Sequence, residues 1–117
     1  MKKTTEAHFN QFKASIKKYI EKYKITGWWI YYFHCDLDGN FARYEADYRQ
    51  CSATFYLGTD WPDGLPLTKQ GLDQCAKHEV IHLLVDPLYS LSLERFVSRD
   101  ELDTIDERLV VQLGELL

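Results

Sequence analysis

The stretch AKHEVIHLLVDPL, residues 76–88, sets two histidines four positions apart, His78 and His82, in an otherwise apolar segment. Glu79 directly follows the first. On an α-helix, positions i and i+4 lie one turn apart on one face. Two imidazoles so placed reach one small cation from the same side. Glu79 lies about 100° around the helix from His78. It is badly placed as a further ligand but well placed to take a proton from a water held by that cation. Two nitrogen ligands and a carboxylate base on one turn make the H-E-x-x-H pattern. The alternative is a pair of surface histidines beside a salt-bridging glutamate. It is disfavoured because the motif falls in an apolar, helix-forming segment preceded by strands, with Val80, Ile81, Leu83 and Leu84 holding the turn rigid. His8 and His34 lack any such spacing and read as exposed or core-edge residues.

The surrounding chain predicts one domain, 1–117, of α+β class. Phe9, Phe12, Ile16, Ile20 and Tyr23 form an apolar stripe that predicts a helix from Thr4 to Tyr23, with Gly27 as its breaker. The aromatic run Trp28 to Phe33 reads as a strand, DLDGN as a turn, Phe41 to Tyr48 as a second strand, and residues 51–58 as a third. About three strands in an antiparallel or mixed sheet are expected. Pro62, Gly64 and Pro66 mark a loop. The motif helix starts near Thr68, and Pro87 is expected to stop it or to follow its end. After the linker PLYSLSLERFV, Ser98 and Glu101 offer a capping box for a last helix. Its core stripe is expected at Leu102, Ile105, Leu109, Leu113 and Leu116.

A catalytic zinc site takes three protein ligands and keeps one position for water. The carboxylates downstream of the histidines are Asp86, Glu94, Asp100, Glu101, Asp103, Asp106 and Glu107. Asp86, one turn beyond His82, suits orienting an imidazole. Glu101 is occupied by capping. Asp106 falls beside Leu109, Val110 and Leu113 on the apolar stripe and is a rival ligand. Glu107 projects over Val110, Val111 and Gly114, where glycine permits close approach. Glu107 is preferred, ahead of Asp106, with Glu101 and Asp103 behind. Two histidines and a carboxylate suit zinc, and also iron or manganese.

Composition narrows the setting. Apolar residues at 45% and aromatics at 15% describe a folded chain. A net charge of −4 with mixed signs gives no reason to expect nucleic-acid binding. The one basic cluster, FKASIKKYIEKYK, reads as the wet face of a helix. No apolar run approaches membrane-spanning length, and no apolar segment follows Lys2 and Lys3 as a signal peptide requires. A cytoplasmic protein is expected. Cys35, Cys51 and Cys75 are odd in number and match no zinc spacing, so they read as reduced, semi-buried thiols.

HEVIHLLVDPL, followed after a short linker by DERLVVQLGELL, resembles the small metallopeptidase-like proteins of phages and prophages. These belong to the zincin group with a downstream glutamate ligand, the gluzincin type. The likeness extends upstream through GWWIYYF and CSATFYLGTDWP over nearly the whole chain, with the motif as its sharp part. It implies a minimal zincin-like fold, zinc held by His78, His82 and a helix-borne glutamate matching Glu107, and Glu79 as the base. It further implies a peptide or protein substrate lying along an edge strand near Ser52–Leu57. No counterpart is expected after His82 to the downstream subdomain that walls the cleft of larger gluzincins, and no oxyanion stabiliser is assigned. Tyr89 reads as a core or linker residue. The expected function is a minimal zinc-dependent peptidase. The alternative is a non-catalytic, zinc-stapled module of phage origin that binds a protein partner. A nucleic-acid-associated protease is disfavoured by the acidic balance and the absence of zinc-ribbon cysteines.

Overall fold

Phe12, Ile16 and Tyr19 recur at helical spacing and all are buried, so the first helix packs along one stripe. In the computed structural model, which describes residues 2–93 and 98–117, this helix is α1 (Glu6–Lys22), preceded by a short strand, β1 (Lys2–Lys3). Thr5 caps it. The His8 N–H donates to Thr5 Oγ1 at 3.3 Å, and the Thr5 N–H donates to Nδ1 of His8 at 2.9 Å. This is a capping box with histidine in the glutamate's usual place. The helix ends before Gly27: Tyr23 is the C-cap and Lys24, at φ 56°, takes the left-handed turn.

Three longer strands follow: β2 (Trp29–Cys35), β3 (Ala42–Asp47) and β4 (Ser52–Gly58). Their order is β2-β4-β3, with β2 parallel and β3 antiparallel to β4. The fold is α+β with a mixed sheet. The expectation that Ser52–Leu57 forms an edge is corrected: β4 is the central strand, paired on both sides. The reason lies in its side chains. Ala53, Phe55 and Leu57 are all buried, and a strand that fills the core on one face gains most from the middle of the sheet. The free edge on the motif side is β3 instead. A further short strand, β5 (Asp60–Trp61), lies where a loop was expected and pairs antiparallel with β1. Two residues are too few to show a period.

The motif helix is α2 (Lys69–Leu93). Leu72, Ala76, Val80 and Leu83 join Phe12, Ile16, Phe55 and Trp61 in one core. Gly71 has a specific role in its first turn: a Cβ there would lie 2.2 Å from the Pro66 carbonyl oxygen, so only glycine lets the preceding loop cross so closely. Pro87 does not end the helix, which runs through it to Leu93. The proline forfeits one backbone bond. Beyond it the Ser90 hydroxyl donates to Asp86 and the Ser92 hydroxyl to the Leu88 carbonyl. Residues 94–97, including the candidate Glu94, lie outside the described residues. No helix among the described residues is long and apolar enough to cross a membrane.

The last helix, α3 (Arg99–Leu116), is capped by Ser98, whose Oγ accepts the Glu101 N–H at 3.2 Å. Its expected core stripe is rotated. Ile105, Leu109 and Leu116 are exposed, and Val110 is the buried residue. Leu102 and Leu113 of the expected stripe are half-buried, and Asp106, Val110 and Gly114 face inward in place of the other three. A rotation that buries Val110 also turns Asp106 and Glu107 toward α2. Gly114 sits over Ile81, but a Cβ would meet its Cδ1 at an ordinary 3.8 Å, so close approach does not require the glycine. Cys35 and Cys51 are exposed rather than semi-buried, Cys75 is half-buried, and all three are free thiols.

Helices α1 and α2 are pinned by Asp73, whose carboxylate accepts from Ser15, Lys18 and Tyr19. Burial pulls this carboxyl up, but the bonds from Lys18, Tyr19 and Ser15 outweigh it and hold the group below its usual range. A depressed folded-state value means stability that is present at neutral pH and lost as pH falls through it. Asp73→Ala should therefore cost about 1–3 kcal/mol at neutral pH. In thermal melts its gap from the parent should narrow as pH falls below about 4. A gap that stays constant with pH would refute this role.

Candidate metal centre

The buried face of α2 fixes the rotation of its neighbouring strip, which carries His78, Glu79 and His82. The two imidazoles stand with ring centroids 5.0 Å apart and planes at 74°. His82 is held on three sides. Tyr44 of β3 stacks on its face, with centroids 5.8 Å apart and planes at 10°. Nδ1 of His82 lies 3.1 Å from Oδ2 of Asp106, and Nε2 lies 2.9 Å from Oε1 of Glu107. The other oxygen of Glu107, Oε2, is 3.6 Å from Nε2 of His78. One carboxylate from α3 thus bridges both histidines of α2.

The donor chemistry of this cluster fits a cation. An ionised carboxylate only accepts hydrogen bonds, so Nδ1 of His82 carries the proton that bonds Asp106. A neutral ring then presents its Nε2 lone pair to the Glu107 oxygen. Two electron pairs face one another, which calls for a proton or a metal ion between them. Ligand atoms of His78, His82 and Glu107 all lie within 4.8 Å of one another and could hold a metal. Tetrahedral zinc with ligands at about 2.0–2.1 Å separates them by about 3.3 Å. The contacts of 2.9 and 3.6 Å bracket that spacing. Exposure is graded across the cluster, at 11% for the side chain of His82, 39% for His78 and 58% for Glu107, so one side is closed and the other open to water.

Glu79 is buried beside this cluster. No hydrogen bond to its carboxylate is found among the described residues. Burial pushes the carboxyl up to about 7, with His82 pulling down and Glu107 pushing further up. Burial also lowers His78, aided by His82 and opposed by Glu107 and Asp106, which favours the neutral ring that a metal requires. Burial holds Asp106 above its usual range, with His82 opposing.

Three of the other candidates are engaged elsewhere. Glu101 accepts from the Ser98 hydroxyl at 3.0 Å and Asp103 from the Tyr89 hydroxyl. Burial, then Asp103, pushes Tyr89 up to about 12. Asp86 accepts from Ser90 at 3.0 Å and does not bond an imidazole; Asp106 takes the orienting position instead. Sequence reasoning missed Tyr44. Its hydroxyl is buried near Asp86, with no partner at hydrogen-bonding geometry among the described residues. Burial, then Asp86, raises it far above the usual phenol range. The alternation Ala42, Tyr44, Ala46 toward the helices was the available signal.

Two cavities meet at Ala42 and Glu79. One, of about 490 Å³, is mainly apolar, with Phe41, Trp61, Leu65 and Cys75 in its wall and His78 at its end. The other, of about 580 Å³, is polar and includes Arg43, Tyr44, Glu45, Tyr89, His82 and Asp106. The open edge of β3 runs beside them. Comparison with known protein families, with curated proteins and with solved structures finds no match to this chain.

Alanine at His78, His82 or Glu107 should abolish stoichiometric zinc binding, read by metal analysis after dialysis. Asp106→Ala, which frees the His82 ring without removing a ligand, should weaken zinc by about 10–100-fold. Glu101→Ala should leave it unchanged. A larger loss from Asp106→Ala than from Glu107→Ala would reassign the third ligand.

Proposed function

We propose that this chain is a minimal zinc-dependent peptidase in which Glu79 is the general base. The observation that supports this most is the convergence of His78, His82 and Glu107 with a buried carboxylate, Glu79, at the junction of two cavities. Bound zinc would supply Lewis acidity toward the scissile carbonyl and would lower the pKa of its water toward neutrality. His78, His82 and Glu107 would hold it. Asp106 and Tyr44 keep the His82 ring in one orientation, so Nε2 rather than Nδ1 serves as the ligand. Glu79 accepts the proton from the attacking water. Burial raises this carboxyl, and a divalent cation beside it would favour the ionised form that a base needs; it can return the proton to the leaving amine.

The substrate strand is best sought along β3, in place of Ser52–Leu57. The outer edge of β3 is unpaired among the described residues. Added backbone pairing there would carry a peptide past Glu79, from the apolar cavity to the polar one. Free thiols at the exposed Cys35 and Cys51 support a reducing compartment, the cytoplasm.

One observation favours a second reading, a zinc-stapled binding module. α3 has one buried residue, Val110, so a metal shared by α2 and α3 would add to its seating. A purely structural site does not explain the buried, unbonded Glu79, and the peptidase reading does.

Glu79→Gln decides between them. The amide keeps size and polarity and removes the base. It should leave zinc content and melting temperature nearly unchanged and lower cleavage of a peptide library, followed by mass spectrometry, by about 10²–10⁴-fold. Cleavage at the parent rate would exclude Glu79 as the base. Tight partner binding by two equally inactive proteins would favour the module.

A further inference from the structure

The two edges of the central sheet are built differently. β3 carries Arg43, Glu45 and Asp47 on its outer face, with Arg43 paired to Glu45 at 3.3 Å. Charges of this kind oppose pairing of the edge with its own copy, without barring a peptide of other charge. β2 reads WIYYFHC, with no aspartate, glutamate, lysine, arginine, proline or glycine, and its one titratable imidazole, His34, turns inward to Thr4. Ile30 and Tyr32 turn inward to the core. Trp29, Tyr31 and Phe33 stand on the opposite face, 72%, 51% and 52% exposed. Phe33 stacks on Tyr56 of β4 at 5.7 Å, which braces one end of this aromatic row.

The backbone of β2 is equally open. The Trp29 N–H donates to the Cys51 carbonyl at 2.8 Å, and the Cys35 carbonyl accepts from the Thr59 N–H at 3.2 Å. Odd-numbered residues therefore direct their peptide groups into the sheet. Even-numbered Ile30, Tyr32 and His34 direct theirs outward. No other strand among the described residues pairs with them.

We propose that β2 pairs antiparallel with β2 of a second copy, across a two-fold axis at Tyr31, to make one continuous sheet. In this register Ile30 and Tyr32 exchange hydrogen bonds with their counterparts through the outward peptide groups. Trp29 faces the partner's Phe33, and Tyr31 faces the partner's Tyr31. These are non-hydrogen-bonded positions, where Cα atoms approach to about 4.5 Å and side chains meet closely. Every exposed ring of the strand thus finds an aromatic counterpart. Charge selects this edge and a second copy: β2 is neutral, so the two-fold axis opposes no like charges. The same operation about Glu45 on β3 would set two carboxylates face to face. The area sets the strength. Aromatic side chains offer about 150–250 Å² each, so the three rings expose roughly 350 Å² per copy. A symmetric pair covers roughly 700 Å² of ring, to which the paired backbone adds. That lies near the lower bound of about 1,000–1,200 Å² for a specific interface, as befits a reversible dimer.

Sedimentation velocity across the micromolar range should find a concentration-dependent monomer–dimer equilibrium. Tyr31→Lys and Tyr31→Glu, which each place like charges on the axis, should weaken the dimer by about tenfold or more. An equimolar mixture of the two should restore it as a heterodimer. Hydrogen exchange on the unaltered protein supplies a variant-free check: the amides of Ile30 and Tyr32 should gain protection as concentration rises. A protein that is monomeric throughout would overturn the proposal. So would a dimer that survives both charges, a mixture that stays monomeric, or a dimer whose Ile30 and Tyr32 amides remain unprotected.

Discussion

Glu107 reaches from α3 to two histidines on α2, and the arrangement of the candidate site turns on that one carboxylate. Its two oxygens each address a different imidazole. Without it, His78 and His82 would offer two ligand atoms from one helix, a set too small for a catalytic zinc site. The rest of the fold serves to bring Glu107 into place. The core of α1, β4 and α2 fixes which face of α2 is dry, and the strip beside that face carries the histidines. Val110 then seats α3 one turn beyond Asp106 and Glu107, so that both carboxylates fall opposite His82. Asp106, half-buried against the imidazole of His82, costs desolvation, which the imidazole N–H offsets only in part.

The division of labour between Asp106 and Glu107 follows from helix geometry. Neighbouring positions differ by about 100° around the axis. Asp106, on the inward stripe, meets Nδ1 of His82 from below; Glu107, turned outward and longer, reaches the Nε2 atoms. Adjacent residues of similar charge thereby take different positions, one against Nδ1 of His82 and the other against the two Nε2 atoms. Tyr44 completes the support from the sheet side. The histidine closest to the protein interior is the most constrained, and the more exposed His78 has more freedom.

How much of this was legible in the sequence depended on whether a feature repeats or stands alone. The i, i+4 histidines and the apolar stripe of α1 carry helical periods, and both appear where the spacing predicts. The cap at Ser98 is a local pattern and is also met. Glu107 comes within reach of both imidazoles, but not for the expected reason, since Gly114 is not needed for the approach. Strand order could not be read, because alternation says which face a strand buries and not which neighbour it pairs with. The parallel pairing of β2 with β4 leaves β3 outside in space although it lies between them in sequence. Pro87 misled because local cost was weighed without the continuing helix around it. The stripe of α3 misled because every third or fourth residue offers a leucine, isoleucine or valine on more than one face, and the position of α2 chooses among them. Tyr44 carried no motif at all; its role exists only once β3 lies against His82.

The central claim is that His78, His82 and Glu107 bind one zinc ion with room for water. X-ray absorption at the zinc edge on stoichiometrically loaded protein tests it most directly. The account predicts a four-coordinate ion with two imidazole nitrogens and oxygen ligands at about 2.0–2.2 Å, and no sulfur. Sulfur at about 2.3 Å, a single imidazole, or failure to load one zinc per chain would contradict it.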